Sequence, residues 1–223
     1  KIGSQELRFC PTCRVCGSHH FSVGTAGSTT LVLQAVLPAL LTAEEPTELL
    51  LEGGTHNPSA PPFDFLEKVY LPQVERMGPK VSVVLERPGF FPAGGGRIRV
   101  TVTPSTRLEP IELDHRGAIE QVRAVAKVAG LPPNVGHREL RTIRNELGLR
   151  RSALLCEELP DRYGPGNVVY VEAEAEEVTE VFTGFGQKGI RAERVGQRVA
   201  HRAQTWIDAE VPVGEYLADQ LVP

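Results

Sequence analysis

The sequence predicts an α/β protein, a sandwich in which helices cover one face of a sheet. Three observations predict it. The apolar pattern of the N-terminal half switches between period 2 and helical spacing in the order β-α-β-α-β-β. Gly- and Pro-rich loops punctuate the switches. The 223 residues are 41% hydrophobic and 23% charged, which is the composition of a globular chain and not of a disordered one.

Taken in order, His20 to Val23 alternates as a short strand. Thr29 to Thr42 follows a Gly/Ser/Thr cluster and is apolar at 31, 32, 35, 36 and 40, which predicts a mostly buried helix. Glu48 to Glu52 reads as a buried strand closed by Gly53-Gly54. Asp64 to Met77 reads as a helix with Asp64 as cap and Glu67 closing a capping box. Its apolar face is Phe65, Leu66, Val69, Tyr70 and Val74; Pro72 is expected to kink it and Gly78-Pro79 to end it. Val81 to Leu85 and Ile98 to Val102 alternate as strands. In the second half, Ile119 to Val128 fits either a strand or a helix. Asn134 to Leu147 is a helix with Leu140, Ile143 and Leu147 on one side. Val168 to Ala175 and Val178 to Thr183 read as strands, and Ile190 to Ile207 as an amphipathic helix along Ala192, Val195, Val199, Ala203 and Trp206. Proline in both connecting segments marks residues 113–208 as a small α/β domain inserted into a larger one, which holds residues 1–112 and resumes at 209–223 with another helix.

Charge and hydropathy exclude several classes. Lys and Arg total 24 against 28 Asp and Glu, a net charge of −4, so a uniformly basic nucleic-acid coat is ruled out while a local basic groove is not. The longest apolar run, Leu31 to Leu41, is interrupted by Gln34 and Pro38 and is too short for a bilayer, so no membrane partner is expected. Lys1-Ile2-Gly3-Ser4 opens the chain without a secretory apolar segment, which points to the cytoplasm. The chain lacks an initiator Met and stops at Pro223, so a fragment is expected. If flanking strands of the sheet are missing, its exposed edges are expected to favour aggregation or pairing with another copy as a homo-oligomer.

Several motifs carry chemistry. Cys10-x-x-Cys13-x-x-Cys16 offers thiolates at steps that wrap a soft metal, or plain free thiols in a reducing compartment. Gly24-Thr25-Ala26-Gly27-Ser28 before a helix is either an anion-binding N-terminus or an ordinary cap. Gln34 on that helix needs a polar partner if buried, and a nucleotide is one candidate. The stiff loop from Gly53 to Pro62 is either a turn or the wall of a ligand pocket, with Pro61 offering a flat ring to a base; His56 in it reads as a solvated side chain. Gly184-Phe185-Gly186-Gln187-Lys188-Gly189 matches a dinucleotide fingerprint, but the alternation before it implies a half-exposed strand, where a dinucleotide fold needs a doubly buried one. Tyr216, Asp219 and Gln220, at i, i+3 and i+4, share one helix face and place a ring, a carboxylate and an amide together, as a purine site requires.

Together these stretches, with Phe90-Phe91-Pro92-Ala93-Gly94-Gly95-Gly96, His115-Arg116-Gly117 and Gly164-Pro165-Gly166-Asn167, resemble the RNA 3′-terminal phosphate cyclase family over nearly the whole chain. The resemblance implies a large domain of repeated β-α-β-α-β-β units with a smaller inserted domain. It implies an ATP-dependent ligase, working with a divalent metal (Mg or Mn), that converts the 3′-phosphate end of an RNA partner to a 2′,3′-cyclic phosphate. In that chemistry a histidine is first adenylylated, AMP passes to the RNA phosphate, and the neighbouring 2′-hydroxyl displaces it. By motif, Pro61 and Tyr216 would sandwich the adenine, and Asp219, Gln220 and Gln34 would supply polar contacts; Arg87 and Arg97 are candidate phosphate contacts by charge and place. The family's nucleophilic histidine lies beyond Pro223, so none of His19, His20, His56, His115, His137 or His201 takes that role and no catalytic residue is assigned. The chain alone is therefore expected to be inactive. The alternatives are a non-catalytic, cyclase-like ribosome-assembly factor and a nicotinamide-dependent oxidoreductase acting through Gly184, Gly186 and Gly189.

Overall fold

A computed structural model describes residues 3, 5, 6, 8, 10 and 16–221. It contains two four-stranded mixed sheets and five helices, an α+β architecture as the sequence predicts. Strand β1 (Gly17–Ser22), helix α1 (Thr29–Leu40), strand β2 (Thr47–Gly53), helix α2 (residues 63–76), strand β3 (Lys80–Arg87) and strand β4 (Gly96–Thr103) follow the expected β-α-β-α-β-β order. The sheet runs β1-β2-β4-β3, with β1 parallel to β2 and the other pairs antiparallel. Register places Leu49 opposite Val100 and Leu51 opposite Ile98, so the apolar side chains of both strands share one face. All four are buried beneath helices that contribute Leu33, Leu37, Leu66 and Val69. The opposite face carries Glu52, Glu86, Arg97 and Arg99, which pair with one another in water.

Two helical details differ from expectation. The buried face of α1 is Leu33, Leu37 and Leu40, while Leu31 is about half exposed. The helix is apolar nearly all round, so its sequence alone does not choose the face. Asp64 does not cap α2: the helix begins at Phe63 after Pro62, with no side-chain cap, and the Asp64 carboxylate is drawn instead into a buried network. Helix α2 runs on through Pro72, the position of the expected kink. Pro72 lacks an N–H and its ring would press on the carbonyl of Lys68, and a π-helical stretch, Leu66–Tyr70, widens the turn just before it.

The second sheet is β6-β5-β7-β8, from β5 (Ile119–Ala129), β6 (Leu154–Leu159), β7 (Gly166–Ala175) and β8 (Thr179–Phe185). The ambiguous stretch is thus a strand, joined to parallel β6 through helix α3 (Asn134–Leu147). Helix α4 (Ala192–Ala209) lies with α3 on one face. Gly136 meets Ala126 and Val128 there, and Gly184 leaves no room for a side chain against Val199. The other face meets α2, through Lys68 to Glu172 at 3.0 Å and Lys127 to Asp64 at 2.6 Å. Helix α2 is consequently buried from two sides, and one apolar cluster runs through both sheets. Arg116 closes the C-terminal end of α4, donating to the Trp206 and Ile207 carbonyls and lying 4.5 Å from the Trp206 ring centroid. Helix α5 (Glu215–Leu221) follows. Among the described residues, no helix is long and apolar enough to cross a membrane.

Candidate functional site

A cleft of about 750 Å³ opens where the 58–62 loop, the end of β8, α4 and α5 meet. That size suits a nucleotide-sized ligand. The loop is held from behind. Thr55 and His56 donate their backbone N–H groups to the Gly89 carbonyl, Asn57 Nδ2 donates to the Ala26 carbonyl at 2.7 Å, and Thr30 Oγ1 donates to the Pro61 carbonyl at 2.7 Å. Gly54 must be glycine, because a Cβ there would collide with the Ala26 carbonyl.

Pro61 stands on this wall, and Tyr216, Asp219 and Gln220 stand together on α5 across the same cleft. The Tyr216 ring is half exposed, its other contact being the Arg202 guanidinium 4.9 Å from the ring centroid. Gln34 does not line the cleft; its Nε2 donates to Gln220 Oε1, tying α1 to α5. The five predicted residues therefore form one constellation, four at the cavity and one behind it. The motifs do not mark the rest of the lining: Phe65 from α2, Val199 from α4 and the pair Arg198 and His201. The signal for the last two was their spacing on a helix whose opposite face is apolar.

Glu180 anchors the α5 wall. Its Oε1 accepts from the Gly214 backbone N–H just before α5, and the residue is 2% exposed. Burial pushes its carboxyl up to about 7, with the Gly214 and Val181 amides offsetting part of that. The expectation of a half-exposed β8 is therefore incorrect: Glu180, Val181 and Phe182 are all buried, because α4 covers one side of the strand and α2 the other. Among the described residues, strand β8 also pairs only with antiparallel β7 at the sheet edge, which is not the parallel central strand of a dinucleotide fold.

Other candidates fall outside the cleft. His56 is 1% exposed, not solvated: Nδ1 meets Thr55 Oγ1 at 2.7 Å, Nε2 meets Asp64 Oδ2 at 3.0 Å, and the ring stacks on Phe90. Arg97 pairs with Glu86 at 3.0 Å and Arg87 donates to the Gly95 carbonyl, so neither faces the cavity. The first amides of α1 are engaged, Thr29 N with the Gly54 carbonyl and Leu31 N with Ser28 Oγ, so the glycine segment works as a cap docked on the Gly53-Gly54 turn. Of the thiol cluster, Cys10 and Cys16 are free, and Cys13 lies outside the described residues.

A family model for RNA 3′-terminal phosphate cyclase matches residues 1–223. The whole chain is similar to proteins named RNA 3′-terminal phosphate cyclase from Pseudomonas fluorescens, Koribacter versatilis and Ralstonia nicotianae, at 48%, 45% and 46% identity. It spans 65%, 62% and 64% of their respective lengths. A match along every residue of the chain, with relatives of one name at this identity, establishes that the chain belongs to the RNA 3′-terminal phosphate cyclase family.

Proposed function

We propose that the cleft holds the adenosine of ATP and that the chain serves the ATP-dependent conversion of RNA 3′-phosphate ends to 2′,3′-cyclic phosphates, in the cytoplasm. The observation that carries this reading is the meeting of Pro61 with Tyr216, Asp219 and Gln220 across one cavity, although they come from opposite ends of the chain. A proline ring and a phenol ring supply two apolar faces for a purine, and a carboxylate and an amide beside them supply an acceptor and a paired donor and acceptor for its polar edge or ribose. Gln34 keeps the Gln220 amide oriented from behind.

The chemistry is a substitution at phosphorus split into activated steps, and this chain's share of it is to bind and orient the nucleotide. Of the histidines among the described residues, only His201 lines the cleft, and His56 is sealed off by Thr55, Asp64 and Phe90. No covalent step is assigned to either. Among the described residues no three His, Cys, Asp or Glu side chains converge on a metal-binding geometry, so no step is routed through a divalent ion here. Incubating the 223-residue chain with α-phosphate-labelled ATP should give no phosphoramidate adduct. Label on His201 would overturn that assignment.

The pocket is tested by calorimetric titration with AMP. Tyr216→Ala is expected to weaken binding by about 1–3 kcal/mol, the range for base–aromatic stacking. An unchanged affinity removes Tyr216 from the site. Binding of AMP in preference to NAD would also separate this reading from a nicotinamide enzyme, and its absence would favour a non-catalytic scaffold.

A further inference from the structure

The cleft is not the end of the binding surface. Helix α4 buries Ala192, Val195, Val199, Ala203 and Trp206, and along one flank of that apolar face it carries Arg194, Arg198, His201 and Arg202, with Arg191 at its N-cap. These recur at the three- and four-residue steps that keep side chains on one side of a helix. Arg198, His201 and Arg202 line the cleft, whereas Arg191 and Arg194 lie beyond it, towards the start of the helix. Arg191, Arg194 and Arg198 are exposed and have no carboxylate partner among the described residues, while the acid of this segment, Glu193, is turned to the other side and engaged with Arg138 at 2.7 Å. An unpaired cationic row is unexpected in a chain of net charge −4.

We propose that this flank of α4 is the track for the RNA strand, with the phosphates of the nucleotides behind the reacting end lying along Arg198, Arg194 and Arg191. This placement rests on the adenylate reading of the cleft. From Arg202 to Arg191 the helix rises about 16 Å, at about 1.5 Å per residue. That is long enough to meet several phosphates of a stacked strand, which advances about 3.4 Å along its axis per nucleotide, and it extends past the cavity that would hold the mononucleotide. Guanidinium groups suit the task because their planar forks bind phosphate oxygens two at a time. On the polar face of the first sheet, by contrast, Arg97 and Arg99 are neutralised by Glu52 and Glu86.

The test uses the 223-residue chain and a fluorescent single-stranded oligoribonucleotide ending in a 3′-phosphate, followed by anisotropy across a salt series, with AMP titrated separately. The variant Arg191→Gln/Arg194→Gln is expected to bind the oligonucleotide about tenfold more weakly at low salt. Its slope of log affinity against log salt should flatten by about 1.4, at about 0.7 per lost phosphate contact on a single strand. AMP affinity should not change, since neither residue lines the cleft. The control Arg150→Gln/Arg151→Gln removes two exposed charges elsewhere and should leave both titrations alone. An unaltered oligonucleotide titration with AMP binding intact overturns the track and spares the cleft. Loss of affinity in the control variant equal to that in the α4 variant also overturns the track, because it would show only non-specific attraction. Equal competition by poly-glutamate would make the surface an acidic-protein site and overturn the RNA assignment. A parent chain that binds the oligonucleotide with the expected slope but no AMP keeps the cationic track and refutes the adenylate cleft.

Discussion

Asp64→Ala is expected to cost about 3–5 kcal/mol of folding stability, the range for removing one partner of a buried ion pair. Asp64 is 1% exposed and accepts on both oxygens, from His56 Nε2 at 3.0 Å and Lys127 Nζ at 2.6 Å. Burial alone would raise its pKa, but the hydrogen bond and charge of His56, followed by those of Lys127, outweigh it and hold the carboxyl well below the usual carboxylate range. The stabilisation is therefore full above the unfolded-state pKa near 4 and is lost as pH falls below it. Without the carboxylate, the Lys127 ammonium loses its ion-pair partner at the interface of α2 and the second sheet, where the Tyr170 ring centroid lies 5.7 Å away. Urea denaturation at pH 7 measures the loss as a lower midpoint at unchanged slope. Asp64→Ala/Lys127→Met should recover part of it, because the stranded charge is then gone. A single-variant loss below about 1 kcal/mol would show that water reaches the pair and that it behaves as a surface bridge.

That network also shows where sequence reading stopped. The β-α-β-α-β-β order was legible because each element has an unambiguous period and a Gly or Pro boundary. The nearness of Gln34, Pro61, Tyr216, Asp219 and Gln220 to one another is legible because they sit in long motifs and, for Tyr216, Asp219 and Gln220, on one helix face. Asp64 and His56 depart from the usual local roles of such residues, a cap and a solvated histidine, because Asp64 pairs with Lys127 of β5 and His56 is enclosed by Thr55, Asp64 and Phe90. Strand β6 was missed because Leu154-Leu155-Cys156-Glu157-Glu158-Leu159 has neither period; it is an edge strand fixed by pairing with β5, and Leu155 stays half exposed. The alternation in β8 implies a half-exposed strand, but period 2 shows only that two faces differ, not that the polar one, with Glu180, is wet. Lys127 and Glu172 belong to the same class. They interrupt apolar strands, and their partners Asp64 and Lys68 come from a helix far away in the chain.

Between pH 5 and 7 the stability of the protein is expected to fall as pH rises, and Glu139 and Glu180 are the reason. Glu139 is fully buried between α3 and β7, where Asn167 Nδ2 donates to its oxygens at 2.9 and 2.8 Å. Burial pushes its carboxyl up to about 7; the Asn167 hydrogen bond and the Arg138 charge offset only part of this. Burial does the same to Glu180 beneath α5. In the unfolded chain both ionise near 4.5. Across the window between these values the folded state binds more protons than the unfolded one, so stability declines with pH. The contribution is complete below about 4.5 and gone once pH has passed about 7. At about 1.36 kcal/mol per pKa unit, each residue accounts for roughly 3 kcal/mol across the window. Asp64 lies outside it, since its loss comes at lower pH. Glu139→Gln keeps a carbonyl acceptor for Asn167 and removes the ionisation, so it should flatten the profile and leave the protein more stable than the parent at pH 8. Glu180→Gln should do likewise and also keep Gly214 anchored, so AMP affinity measured at pH 8 should not fall. Denaturation midpoints at half-unit steps of pH decide the matter. Parent and Glu139→Gln profiles that run parallel would mean that the carboxylate is already ionised and hydrated in the fold.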